Sequence, residues 1–207
     1  MKKVLALVAA VMLLGGTAMA QASFGVGYMN PTHYSLKDKT MSGIYAGFDY
    51  NIHLSDNFGI APGVYYSYAT KSVEDGITIG GINLANGKIS FTEHYVAVPI
   101  NLNYSFKLAP DFALSIYAGP TISYGVASTS KGDANVLNAL NINNSSNLYE
   151  NTNYKPLDVL IGGGVAFDYA EMIRVNIGYN YGLLDRDARD NASYNRSYLH
   201  MGVAYLF

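Results

Sequence analysis

Tyr95-Val96-Ala97-Val98-Pro99-Ile100-Asn101-Leu102-Asn103-Tyr104-Ser105-Phe106 decides the fold. Val96, Val98, Ile100, Leu102, Tyr104 and Phe106 are large and apolar, while Tyr95, Ala97, Pro99, Asn101, Asn103 and Ser105 between them are mostly small or polar. Side chains of a strand point alternately to its two faces, so this order predicts a strand with one greasy face; an amphipathic helix would need apolar residues three and four apart. Working outward, the pattern recurs. Ile44, Ala46, Phe48, Tyr50 and Ile52 alternate with Gly43, Tyr45, Gly47, Asp49 and Asn51, and Phe58, Ile60, Val64, Tyr66 and Tyr68 with Gly59, Ala61, Gly63, Tyr65 and Ser67. Downstream, Phe112, Leu114, Ile116, Ala118, Ile122 and Tyr124 oppose Ser115, Tyr117, Gly119, Thr121 and Ser123, and Val159, Ile161, Val165, Phe167 and Tyr169 oppose Asp158, Gly162, Gly164, Ala166 and Asp168. Runs at 173–182 and 198–207 do the same, and a weaker one at Phe24, Val26 and Tyr28 brings the count to about eight strands.

A soluble sandwich also alternates, so connection lengths matter. Those after the second, fourth and sixth strands are short (54–57, 107–111, 170–172), and those after the first, third, fifth and seventh are long (31–41, 71–88, 127–153, 184–192). Strict alternation of short and long is the asymmetry of a membrane barrel, which a sandwich has no physical reason to keep. Lipid offers no partner to an edge strand, so the sheet must close on itself. The expected fold is all-β: a closed antiparallel transmembrane up-and-down β-barrel of about eight strands, with short periplasmic turns and long extracellular loops. Asn86-Gly87 carries the type I′ hairpin signal, so the second long loop is expected to turn there and extend the sheet outside; counting its arms as membrane strands would give ten. The third long loop is rich in Asn (Asn135, Asn138, Asn141, Asn143, Asn144, Asn147) and reads as solvated and mobile. Asn143, Asn144, Asn191 and Asn195 match glycosylation sequons formally and read as polar composition.

Composition narrows function. Charged residues are 14% of the chain, against roughly 25% in an ordinary soluble domain, and 19 Tyr, 8 Phe and 21 Gly replace them. A net charge of -2 provides no basic surface for nucleic acid. The lack of cysteine excludes a disulfide scaffold, a thiol nucleophile, a Cys-ligated metal and a lipidated N-terminal Cys. Residues 1–20 read as a cleaved secretory signal peptide: Lys2-Lys3, an apolar run at 4–14 too short to span a bilayer, and Ala18-Met19-Ala20 as a small-x-small site. Cleavage is expected after Ala20, leaving 21–207 as a single barrel domain.

Tyr50, Phe58, Tyr104, Phe106, Phe112, Phe167, Tyr169, Tyr205 and Phe207 fall at the expected periplasmic strand ends, as an interfacial girdle would. Tyr205 and terminal Phe207 are similar to the C-terminal signal that outer-membrane assembly machinery reads. His94-Tyr95-Val96-Ala97-Val98-Pro99-Ile100, Tyr117-Ala118-Gly119-Pro120, the Gly162-Gly163-Gly164 run within 157–168 and Asn176-Ile177-Gly178-Tyr179 together resemble the small outer-membrane beta-barrel domain family, the porin-family proteins in the wider company of OmpA/OmpX-type barrels. The resemblance covers the whole mature chain. It implies a monomer in a Gram-negative outer membrane, and that family has no shared catalytic residues to carry over.

Inside about eight strands there should be room for side chains only, not an open channel. A register summing to 342 across 170–172 would put Asp168 opposite Arg174 on the inner face, as a structural lumen ion pair or, alternatively, a gating or proton-handling one. Asp49, Glu93 and Asp158 also point inward, leaving the lumen net acidic. His33, His53, His94 and His200 lack metal-ligand or triad spacing, so no metal, cofactor or catalytic residue is expected. His94 turns outward beside Thr92 on the upper part of a long strand, where a lipid-modifying barrel would keep a catalytic group; the plainer reading is that this strand simply rises above the membrane. Asp185, Arg186, Asp187, Arg189 and Asp190 lack the Gly and distal Glu of a calcium loop and read as a solvated, mixed-charge loop able to meet lipopolysaccharide or divalent ions. The functional expectation is a non-enzymatic integral barrel with a structural or interaction role carried by its extracellular loops. Its partners would be outer-membrane lipids and lipopolysaccharide, the barrel-assembly machinery and an extracellular ligand. A narrow passive pore is the alternative, and a lipid A-modifying enzyme a more distant one.

Overall fold

A computed structural model describes residues 20–33, 36, 40–79, 82–136, 140–151, 154–187 and 193–207. The expected leader up to residue 19, together with Asn138, Arg189, Asp190 and Asn191, lies outside them. Among the described residues nine strands follow in order: β1 (Ala20–Pro31), β2 (Ser42–His53), β3 (Phe58–Ile79), β4 (Ile82–Ala109), β5 (Phe112–Val136), β6 (Leu140–Asn147), β7 (Leu157–Tyr169), β8 (Ile173–Gly182) and β9 (Ser197–Leu206). A four-residue helix, α1 (Leu148–Asn151), separates β6 from β7. Eight strands pair antiparallel with their neighbours, β1-β2-β3-β4-β5-β7-β8-β9, and β9 returns to β1 from Pro31↔Tyr198 to Ser23↔Leu206. The ring is closed, so each wall strand has a partner on both sides. β6 stands apart from it, pairing only with the far end of β5.

Alternation places the large residues outside. Ile44, Phe48, Ile100, Leu102, Ile116, Ile161, Val165, Val175, Ile177, Met201 and Val203 are all exposed on the outer wall. So wide an apolar band is stable only against lipid. No helix among the described residues is long and apolar enough to cross a membrane, and the crossing is made by strands. At the end with short turns, the rings of Tyr104 and Phe106 meet at 4.8 Å, Phe112 touches Phe167 and Tyr169 at 5.5 and 5.1 Å, and Tyr205 stacks on Phe207 at 6.2 Å. A second belt of exposed rings, Tyr28, Tyr66, Tyr68, Tyr124, Tyr179 and Tyr181, lies towards the other end. Two girdles bracket the apolar band, as interfacial aromatics do.

Gly119 shows why the inner face must be small. A Cβ there would sit 2.1 Å from the Ile100 carbonyl oxygen and 2.9 Å from the Asn101 Cα, so only glycine lets β4 and β5 approach at this point. The β7–β8 turn makes the opposite choice. Ala170 and Glu171 have φ of 51° and 54°, the left-handed values a type I′ turn requires, in residues that adopt them at a cost. Replacing both, as Ala170→Asn with Glu171→Gly, should stabilise the barrel by about 1 kcal/mol. A urea-refolding midpoint that fails to rise would show the turn to be unstrained.

Three loop expectations are corrected. Asn86 and Gly87 pair with Gly76 and Asp75, so the second long loop is a hairpin but does not reverse there; β3 and β4 run on to Ile79↔Ile82, leaving residues 80–81 between them. A longer sheet satisfies more backbone groups than an early turn. The Asn-rich third loop likewise carries strand among its described residues, with β5 and β6 paired from Thr129↔Asn147 to Val136↔Leu140. The last loop is not uniformly solvated: Arg186 is fully buried and Asp187 nearly so.

Candidate functional site

β4 carries Glu93 and Tyr95 on its inner face, two residues apart, and both are buried. On β5, a bulge opposite His94 and Tyr95 inserts one residue: Tyr95 pairs with Gly125, but His94 pairs with Ala127. The extra residue resets parity. Ser128 therefore faces inward opposite Glu93, although Ser123 and Gly125 face inward below it, and its hydroxyl lies 3.4 Å from Glu93 Oε1. The same oxygen accepts from the Tyr95 hydroxyl at 2.9 Å and the Tyr154 hydroxyl at 3.0 Å. His33 Nε2 stands 3.7 Å from it.

The last loop supplies the cations. Arg186 is held by backbone bonds to both sides, its N–H donating to the Tyr194 carbonyl at 2.9 Å and its carbonyl accepting from the Lys155 N–H at 2.9 Å. Asp185 fastens the loop further, its carboxylate accepting from the N–H groups of Tyr194 at 2.9 Å and Asp187 at 3.0 Å; these bonds hold its carboxyl below the usual range. So placed, Arg186 reaches inward to donate to the Tyr95 hydroxyl at 2.8 Å, with its guanidinium 4.3 Å from the Tyr154 ring centroid. Arg196 enters just before β9 and lies 3.9 Å over the Tyr95 ring. Burial, then Glu93, raises the Tyr154 hydroxyl well above its ordinary value, so it remains a protonated donor. Burial lowers His33 against the pull of Glu93, with Arg186 and Arg196 pushing the same way as burial. Alongside them, on the side of the long connections, Leu36, Met41, Ala69, Phe91, Leu148 and Tyr154 pack as a small apolar core. The assembly is a cap of aromatic rings and paired charge across the end of the barrel that bears the long connections.

Below the cap the lumen is not filled. A cavity of about 140 Å³ runs past Asp49, Tyr65, Tyr117, Ser123, Arg174 and Arg196, room for on the order of ten waters, where side chains alone were expected. Asp168 faces Arg174 in register, and the pair is bidentate: Nε to Oδ1 at 2.6 Å and a terminal nitrogen to Oδ2 at 2.8 Å. Asp49 accepts a hydrogen bond from Tyr65. Asp158 is fully buried on β7, beside Ser123 of β5. Arg186 and Arg196 join Arg174 against Asp49, Glu93, Asp158 and Asp168, so the lumen keeps a smaller net negative charge than the strands alone would give it. Tyr205 and Phe207 sit at the opposite end, where the backbone of Phe207 exchanges hydrogen bonds with Ala22 at 2.9 and 3.1 Å across the β1–β9 seam.

The profile of the "Outer membrane protein beta-barrel domain" family matches residues 9–187. The chain belongs to that outer-membrane β-barrel family. Among solved structures, this outer-membrane barrel is similar to Ail, the attachment invasion locus protein of Yersinia pestis, solved in complex with the heparin analogue sucrose octasulfate: 14% identity over 91% of this chain and 99% of that one, TM-score 0.45. It is similar to Neisserial surface protein A at 11% identity over 92% and 98%, TM-score 0.43. It is similar to the outer membrane enzyme PagL at 11% identity over 90% and 98%, TM-score 0.48. No curated protein matches the chain.

Arg186, Arg196, Tyr95, Tyr154, Ser128 and His33 escaped the reading of the sequence as members of one cluster. One signal for them was present: buried carboxylates require cations, and the strands supplied one arginine for Asp49, Glu93, Asp158 and Asp168. The missing charges had to come from loops.

Proposed function

We propose that this outer-membrane barrel is a non-enzymatic structural or interaction protein whose binding is carried by its extracellular loops. The observation that supports this most is the cap: Arg186 and Arg196, packed on Tyr95, Tyr154 and Glu93, occupy the end through which a solute would enter. Strand length supports it too, since β4 runs for 28 residues where about 9 to 11 cross a bilayer. The excess of β3, β4, β5 and β6 is a sheet held up outside the membrane. In this reading the signal peptide is removed after Ala20, and the assembly machinery reads Tyr205 and Phe207. The monomer then meets lipid and lipopolysaccharide with its wall and an extracellular ligand with its loops. Asp168–Arg174 is structural.

Single-channel recording of the refolded mature protein tests the proposal, once a shift of gel mobility on boiling has shown closure. Electrical silence is expected. The cavity favours a second reading, a narrow passive pore, and a steady cation-selective conductance would establish that instead.

An enzymatic reading would rest on His94. Its Nδ1 lies 2.6 Å from the Tyr66 hydroxyl, and the Tyr68 ring is 5.1 Å away, so it sits in the outer aromatic belt paired with a phenol rather than a carboxylate. His94→Ala should leave the mass of lipid A unchanged in cells expressing the protein. A wild-type-dependent mass change that the substitution abolishes would reverse this assignment.

A further inference from the structure

Three arginines reach into the barrel among the described residues, Arg186 and Arg196 buried and Arg174 half-buried, and two of them have the same edge filled. Arg174 gives its Nε and one terminal nitrogen to Asp168 at 2.6 and 2.8 Å. Arg186 gives the same pair to the Lys155 carbonyl at 2.9 and 2.8 Å. Arg196 is 2% exposed, yet its Nε and one terminal nitrogen have no hydrogen-bond partner in the protein. The guanidinium cannot swing away to find one, because the rings of Tyr95 and Tyr198 hold it at 3.9 and 4.9 Å. A planar edge of this kind matches a carboxylate bidentately.

Arg196 and Ser123 line the interior cavity, and the Ser123 hydroxyl is also buried without a partner. Asp158, the register partner of Ser123, is fully buried beside it. The backbone of Val159 and Leu184 is near it, but neither carboxylate oxygen has a partner at hydrogen-bond geometry. Gly182 lets the Asp158 side chain approach the Arg196 backbone: a Cβ there would be 2.6 Å from the Arg196 carbonyl oxygen and 3.0 Å from Asp158 Oδ2. Three unfilled donors therefore line one end of a water-sized cavity, with the Asp158 carboxylate in the adjoining register position.

We infer that this end of the lumen is a binding site for a small zwitterion of amino-acid type. Its carboxylate lies along the Arg196 edge with Ser123 donating a third bond, and its ammonium lies against Asp158. A bare anion would be buried beside Asp158 and Glu93, and a bare cation beside Arg196 and Arg186. A zwitterion brings no net charge and meets both sets of groups. With room for on the order of ten waters, the cavity admits a ligand the size of glycine.

Glycine is the probe, added to the mature barrel both during and after refolding so that slow entry does not hide binding, with saturation-transfer NMR as the readout. Saturable binding is expected, with acetate, the carboxylate half alone, at least tenfold weaker. Arg196→Lys keeps the charge and loses the planar edge, and should weaken glycine at least tenfold. Asp158→Asn should bring glycine down to the level of acetate. Closure of each variant is checked by gel mobility, and the comparison of glycine with acetate needs only the wild type. Absence of saturable binding by the closed wild-type barrel would mean that water alone completes these groups and would overturn the inference. So would acetate binding as tightly as glycine, or glycine binding that ignores Arg196→Lys.

Discussion

Glu93→Ala should cost the folded barrel about 3–5 kcal/mol, the range seen when one member of a buried charge cluster is removed and the others are left in place. Glu93 is fully buried, and one of its oxygens accepts from Tyr95 and Tyr154 and lies near Ser128 and His33. Removing it strips an acceptor from two buried hydroxyls and leaves Arg186 and Arg196, both against the Tyr95 ring, without the nearby negative charge. Glu93→Gln keeps the shape and an acceptor, so it should cost less, and the difference between the two variants isolates the charge from the hydrogen bonds. The measurement is the urea midpoint of refolding into detergent micelles, followed by gel mobility. A loss below about 1 kcal/mol for the alanine variant, the value of a surface pair, would mean that the cap is solvated and does not seal the mouth. Combining Glu93→Ala with Arg186→Met tests the coupling: the second substitution should add less in the alanine background than alone, because the repulsion it relieves is already present.

How much of this was legible in the sequence follows from the range of the forces involved. Wall strands were legible because alternation is local: Val96 to Phe106 on one parity and Tyr95 to Ser105 on the other are enough to orient β4 towards lipid. The Asp168–Arg174 register was legible as well, since the three residues between β7 and β8 leave few ways to turn. The cap was not. Arg186 sits between two aspartates in a polar loop, where local charge balance argues for solvent, and its burial is set by Tyr95 and Glu93 some ninety residues earlier. The bulge at Val126 left no mark in the alternation that could be separated from the end of a strand, yet it alone turns Ser128 inward. Asn86-Gly87 shows the converse error: a strong local turn signal yielded to a longer sheet, because β3 and β4 gain pairing on both sides of it.

Arg174→Met should cost about 3 kcal/mol, at the low end of the range for breaking an interior pair because both side chains retain some solvent contact, 19% for Arg174 and 14% for Asp168. The guanidinium is the nearest cation for two carboxylates. It binds Asp168 through two parallel bonds, and its charge also acts on Asp49, which is otherwise held by Tyr65. Loss of Arg174 therefore leaves two negative charges in a lumen whose wet volume is small, and the cost should exceed that of Asp168→Asn, which leaves Arg174 with Asp49 as a remaining counter-charge. Arg174→Lys should recover only part of the loss, since a single ammonium cannot reproduce the fork. The double variant Arg174→Met with Asp168→Leu should lose less than the sum of its parts by at least about 1.5 kcal/mol, since it removes the stranded carboxylate along with the arginine. Additive losses would mean that water in the cavity already screens the two groups from each other. In that case the pair fills space rather than holding β7 to β8, and the stability of the lower lumen would have to come from backbone pairing and from close approaches such as the one at Gly119.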